Sequence, residues 1–213
     1  MLVQYELQSG SNEMNVLSGV CMARKANFCK QEKLEQAMAL FWSKGFANTS
    51  INDLTETLAI NRFSLYNTFG DKETLYYQAL DNYLSSISFP KLEPLRARGA
   101  GIETLETFLV GFAEKQKENT CGCFIQNAVV EHAGENQEVL KRSDALFNTL
   151  QTAIVEAIKS AQHQSQISLK QDAESLGQFV ICQMQGMRVL GKAKRYQEID
   201  TATQVLLQYL KSA

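Results

Sequence analysis

The sequence predicts an all-α protein, and three observations carry the prediction. Apolar residues recur at three- and four-residue spacing along most of the chain from Leu34 onward. Only two prolines, Pro90 and Pro94, occur in 213 residues, and the twelve glycines are scattered, which disfavours a protein of many punctuated hairpins. Between 49 and 72 capping residues precede short apolar stripes, whereas later stripes are long, so short helices precede long ones within the one or two globular units that 213 residues allow.

Taken in order, residues 1–21 show no sustained period and read as an N-terminal extension, expected to be disordered, with the patterned chain beginning after it. Residues 22–33 hold Arg24, Lys25, Lys30 and Lys33 against Glu32, a local basic arm in a chain of net charge −2. Leu34, Ala37, Met38, Phe41 and Trp42 form the stripe of a first helix ending near Lys44 and Gly45. Thr49 or Ser50 caps a second, with Ile51, Leu54 and Leu58 on one face and Asp53 placed to suit the helix dipole. Asn61 caps a third, in which Leu65 and Phe69 are i, i+4 partners and Arg62, Phe63, Ser64, Tyr66, Asn67 and Thr68 fall largely on the other sides.

Gly70 and Asp71 end that helix and cap a fourth, whose two apolar rows run from Leu75 to Ile87. Pro90 and Pro94 predict a linker. Beyond it the periodicity predicts helices from Ile102, over 123–133, over 136–162 with Leu146, Leu150, Ile154 and Ile158 at four-residue spacing, and over 169–192 and 197–211. The last two have apolar rows with no further helix to cover them, so they are expected to form a four-helix bundle with a second copy.

Composition bounds the function. No apolar run approaches the roughly 18 residues of a membrane span, and the first twenty residues lack an apolar signal segment, so a soluble cytoplasmic protein with no membrane partner is expected. Five cysteines, an odd number, point to thiols in a reducing compartment.

Two short helices joined by a tight turn, the second rich in donors and aromatics, form the pattern of a helix-turn-helix. The stretch "ALFWSKGFANTSINDLTETLAINRFSLYNTFGDKETLYYQAL", residues 39–80, resembles the N-terminal domain of TetR-family transcriptional regulators almost position for position, through Phe41, Gly45, Phe46, Thr49, Ser50, Ile51, Leu54, Leu65, Tyr66, Phe69, Lys72, Glu73 and Leu75. The resemblance implies a three-helix DNA-binding domain over 22–70 and a larger helical effector-binding and dimerisation domain over 71–213. It implies a repressor with three partners: double-stranded DNA carrying a palindromic operator, a second copy of the chain, and a small-molecule effector. No cofactor and no metal are implied. Ala59 departs from the pattern, standing where the family usually has glycine; a turn with positive φ there costs about 1 kcal/mol.

Within that frame Arg62 suits a guanine edge or a phosphate, Phe63 a thymine methyl, and the hydroxyls of Tyr66 and Thr68 phosphate oxygens. Asn61, Ser64 and Asn67 complete the face. Thr49 and Ser50 stand at a helix start, where a cap and a phosphate contact coexist, and Lys72 opens the next helix beside the backbone.

In the larger domain, Cys121 and Cys123 flank a glycine at a predicted helix start, a position that favours thiolate, and they are the candidate thiol sensor. His132 lies nine residues from Cys123, half a turn round the same helix, which argues against a shared metal. Phe108, Phe112, Phe124, Phe147 and Met184 are candidates for an effector pocket. Two histidines give no Ser/His/Asp set, and H-E-x-x-H is absent. The protein is therefore read as no enzyme, the alternative being a cysteine-dependent enzyme or thiol-reactive helical binding protein that uses Cys123.

Overall fold

The structure, a computed structural model, describes residues 29–118 and 121–212. The extension 1–21 and the arginine and lysine of the basic arm, Arg24 and Lys25, lie outside the described residues. Among those described there is no strand. The head comprises α1 (Lys30–Lys44), α2 (Ile51–Leu58), α3 (Arg62–Phe69) and α4 (Lys72–Tyr83). The body comprises α5 (Glu93–Arg96), α6 (Ile102–Glu118), α7 (Phe124–Glu131), α8 (Gln137–His163), α9 (Ala173–Lys192) and α10 (Tyr196–Ser212). No described helix is long and apolar enough to cross a membrane.

The caps stand where side-chain chemistry places them. Ser50 Oγ accepts from Asp53 N at 3.1 Å while Ser50 N donates to Asp53 Oδ2 at 2.7 Å, a reciprocal capping box at the start of α2. Asn61 Oδ1 accepts from Ser64 N at 2.8 Å and Asp71 Oδ1 from Thr74 N at 2.7 Å, opening α3 and α4. Ala59 adopts φ 51° and ψ 43°, the left-handed turn expected between α2 and α3.

The expected linker at the two prolines does not form. The backbone continues from α4 through a π-helical turn, Leu84–Ser88, and a 3-10 turn, Phe89–Leu92, directly into α5. Each proline stands in the first turn of a new segment, where its missing N–H removes no intrahelical bond. The chain therefore changes helix type at the prolines without unwinding, and buried Leu92 and Leu95 pin the segment to the body.

Two apolar cores result. One gathers Phe41, Leu54, Leu65, Phe69 and Tyr76 of the head around Phe124, Ile125 and Ala128 of α7 and Val139 and Leu146 of α8. The other joins α5, α6, α9 and α10 to the later part of α8, from Leu150 to Ala161. The 27-residue α8, about 40 Å long, belongs to both. Its four-residue row divides between them: Leu146 in the first core, Leu150, Ile154 and Ile158 in the second.

Candidate nucleic-acid interface and ligand cavity

On α3 only Leu65 and Phe69 are buried, so the helix is held to the head by one i, i+4 pair and presents the rest outward. Phe63 is 79% exposed and Tyr66 46%, with Asn61, Arg62 and Asn67 also exposed and Ser64 and Thr68 half-buried. An aromatic ring so exposed on a short helix loses apolar hydration only by meeting another molecule. The Arg62 guanidinium is tied back to α2, donating to Asn52 Oδ1 at 2.7 Å. Nothing local in the sequence marks Asn52, ten positions away, as the partner of Arg62.

Thr49 is a correction. It is fully buried, and its hydroxyl donates to the Gly45 carbonyl at 2.6 Å, so it closes the α1–α2 loop and offers nothing to a phosphate. The cap and the exposed hydroxyl belong to Ser50. Lys72 is half-buried with its ammonium 4.2 Å from the centre of the Phe46 ring, and Lys30 lies 5.6 Å over Phe69, so two of the head's cations rest on aromatic faces beside α3. Lys44, 2.6 Å from Asp53, and the Ser50 donors together hold the Asp53 carboxyl well below its usual range.

A cavity of about 660 Å³ lies at the seam between the two cores. Trp42 of α1 and Tyr83 of α4 face it from the head, Phe108, Gly111 and Phe112 from α6, Cys123 from the start of α7, and Met184 and Arg188 from α9. Of the residues expected in a pocket, Phe108, Phe112 and Met184 are there. Phe124 and Phe147 are not: Phe124 is fully buried among the head aromatics, edge-on to Tyr76 at 5.6 Å and to Tyr83 at 5.8 Å. Phe147 is absent from the wall, which α8 reaches through Leu146 and Leu150. Periodicity identified Phe124 as inward-facing but could not tell a wall from a packed centre, and half-buried Phe147 belongs to neither core.

Cys123 occupies the cap position of α7, its side chain making no capping bond, and it is buried against the cavity. It shares a hydrogen bond with the Tyr83 hydroxyl; burial first, and the Cys123 thiol second, push the Tyr83 phenol above its ordinary value. Cys121, two residues earlier, is half-buried, outside this cavity, and its carbonyl accepts from Asn127 Nδ2 at 2.8 Å. Among the described residues no group of His, Cys, Asp and Glu could hold a metal.

α7 also joins cavity to head. At its start, the Gly122 carbonyl accepts from Trp42 Nε1 at 3.2 Å. At its end, the Glu131 carboxylate accepts from Phe46 N at 3.0 Å and Ala47 N at 2.8 Å, gripping the loop that leads into α2. Gly45 makes that grip possible: its φ is 84°, and a Cβ there would lie 3.0 Å from Glu131 Oε1. Glu131 carried no signal in the sequence, because its partners are 84 and 85 residues away.

Comparison with known proteins agrees with this anatomy. Residues 34–79 match the family described as bacterial regulatory proteins, tetR family, and residues 101–201 match the C-terminal domain of LmrA/YxaF-like transcriptional regulators. The chain is similar to the uncharacterized HTH-type transcriptional regulator YezE of Bacillus subtilis, 28% identical over 69% of this chain and 77% of that protein. It is similar to the HTH-type transcriptional repressor ComR of Escherichia coli, 24% identical over 76% of this chain and 79% of that protein. Its fold matches a TetR-family regulator from Cytophaga hutchinsonii, with a TM-score of 0.74 and 19% identity over 85% of this chain and 92% of the other. It also matches the TetR-family regulator CifR, solved as a cysteine mutant with a 26-base-pair double-strand operator, with a TM-score of 0.72 and 24% identity over 87% of this chain and 98% of the other. With head and body each matched within one family, over stretches that together exceed half the chain, the protein belongs to the TetR family of bacterial transcriptional regulators.

Proposed function

We propose that the protein is a dimeric repressor that reads a two-fold symmetric operator with α3 and is released when the seam cavity is filled. The observation that carries the DNA reading is the outward face of α3, with Arg62, Phe63, Tyr66 and Asn67 exposed on a helix anchored only by Leu65 and Phe69. Ser50 at the start of α2 and Lys72 at the start of α4 flank that face and supply backbone contacts.

Dimerisation is supported by an uncovered apolar strip on α9 and α10. Val189 is 60% and Val205 59% exposed, and Phe179 and Tyr209 meet edge-on at 5.4 Å beside exposed Cys182. A strip shared by two adjacent helices fits an isologous four-helix contact, whose symmetry matches paired half-sites.

Release is supported by the position of the cavity. A ligand there touches Trp42 and Tyr83 of the head and the first residues of α7, whose other end holds the α1–α2 loop through Glu131. A shift of α7 changes the pose of α2 and α3, and 1.4 kcal/mol between two poses alters operator affinity about tenfold. Cys123 on the same wall gives a second route, modification by an electrophile that enters the cavity.

Selection from random duplexes tests the whole. It is expected to recover a two-fold symmetric site, and Arg62→Ala to weaken it by about 1 to 3 kcal/mol if Arg62 reads a base. An unsymmetrical consensus, or none, removes the operator reading. Repeating the binding measurement after maleimide treatment of wild type and Cys123→Ser separates the thiol route, which is lost if both release DNA equally.

A further inference from the structure

The cavity is apolar along one length and cationic at one end. Lys91, Lys115 and Arg188 all line it, from the 3-10 turn after α4, from α6 and from α9. Among the described residues none of the three forms an ion pair. Arg188 lies 5.3 Å over the Phe112 ring and donates to Gln185 Oε1 at 2.8 Å, a neutral partner that leaves its charge uncompensated.

Two carboxylates also line the cavity, Glu103 and Glu118; Glu118, one turn beyond Lys115 on α6, stands near the cationic end without pairing with any of the three cations, and so offsets their charge only in part. Glu103 is twelve residues before Lys115 on α6, about 18 Å along the helix, so it marks the opposite end. Phe108 and Phe112 stand between them, and Trp42 and Tyr83 close the side toward the head. Three unpaired cations gathered at one end of an aromatic trough repel one another. In keeping with this, burial first and the Lys115 charge second lower the affinity of Lys91 for its proton, and Arg188 adds to the effect. An anion placed among them removes that repulsion.

We infer that the cavity takes an aromatic organic anion, its carboxylate, sulfonate or phosphate held by Arg188, Lys115 and Lys91 and its rings lying along Phe112 and Phe108. The inference rests on the reading of this cavity as the effector site and narrows it to one class of ligand. Arg188, half-buried and stacked, makes the principal contact; the two lysines, more exposed overall, draw the anion in and are screened by salt.

The test uses the full chain without DNA and two fluorescent probes of nearly the same shape, anilinonaphthalene sulfonate and its uncharged parent phenylnaphthylamine. Arg188→Gln is expected to weaken the sulfonate about tenfold or more, the scale of a charge-assisted hydrogen bond, while changing the neutral probe less than twofold. Lys115→Gln is expected to weaken the sulfonate about threefold and to reduce its salt dependence. Gly111 faces the cavity with no heavy atom within 4 Å of a Cβ, so Gly111→Phe fills the space and is expected to exclude both probes. Equal loss of both probes in Arg188→Gln, no loss of either, or undiminished sulfonate binding in Gly111→Phe overturns the inference. Operator binding is read separately. Charge-dependent probe binding that leaves DNA bound upholds the ligand class and removes the effector reading, whereas charge-independent binding that releases DNA does the reverse.

Discussion

The two cores solve different problems with different residues. The head core is aromatic: Phe41, Phe69, Tyr76 and Phe124 are fully enclosed, and Phe41 meets Tyr76 edge-on at 5.1 Å. The body core is aliphatic, its buried members being Leu, Ile, Val, Ala and Met, and its rings, Phe108, Phe112 and Tyr196, are only partly buried around it. Short helices bury few residues each, so the head depends on large side chains that interlock, and each of α2, α3 and α4 begins at a side-chain cap. Long helices bury many small residues and can leave a gap where their faces diverge. The head is thus built to hold one shape, and the seam beside the body is built to be filled.

The sharpest way to break this contrast is to remove equal kinds of mass from the two sides. Leu65→Ala empties a fully buried site and is expected to cost 2 to 5 kcal/mol, on the scale of leucine truncations in closed cores. Phe112→Ala enlarges a space that already exists and is expected to cost less than about 1 kcal/mol, though it removes a larger side chain. Urea unfolding of both variants checks this, and equal losses erase the distinction.

A smaller effect tests whether caps fix the head. Ser50→Ala is expected to lose about 1 kcal/mol. Its partner Asp53 is held below the ordinary carboxylate value of 3.8, by Lys44 first and by the Ser50 donors second, so the folded state binds protons less readily than the unfolded one and Ser50 accounts for part of that difference. That contribution is complete above 3.8 and is lost as the pH falls below it. The gap between wild type and Ser50→Ala is therefore expected at neutral pH and to shrink only in acid, as read by thermal unfolding across pH.

The smallest change sharpens the picture in the opposite direction. Ala59 pays for a left-handed backbone with a penalty of about 1 to 2 kcal/mol, while alanine recovers about 0.4 to 1 kcal/mol by restricting the unfolded chain. The first exceeds the second, so Ala59→Gly is expected to stabilise the head by about 0.5 to 1 kcal/mol. Unchanged or lower stability in the urea midpoint means that the turn is not strained.

The sequence alone determined what is local. A cap is read by an amide three residues on and a helix face by residues three and four apart, so a cap at Thr49 or Ser50, the caps at Asn61 and Asp71, the outward face of α3 and, through the family's usual glycine, the Ala59 turn are legible in the sequence. The tertiary structure decided what depends on residues far apart in the chain. It buried Thr49, withdrew Phe124 and Phe147 from the cavity, and kept the chain helical through Pro90 and Pro94. It also set Glu131 on the amides of Phe46 and Ala47, and brought Lys91, Lys115 and Arg188 to one end of one space. The reason is physical: periodicity records that a side chain points inward, but whether it meets a packed neighbour, a carboxylate or an empty volume depends on which helix lies opposite, and no spacing within a single helix encodes that.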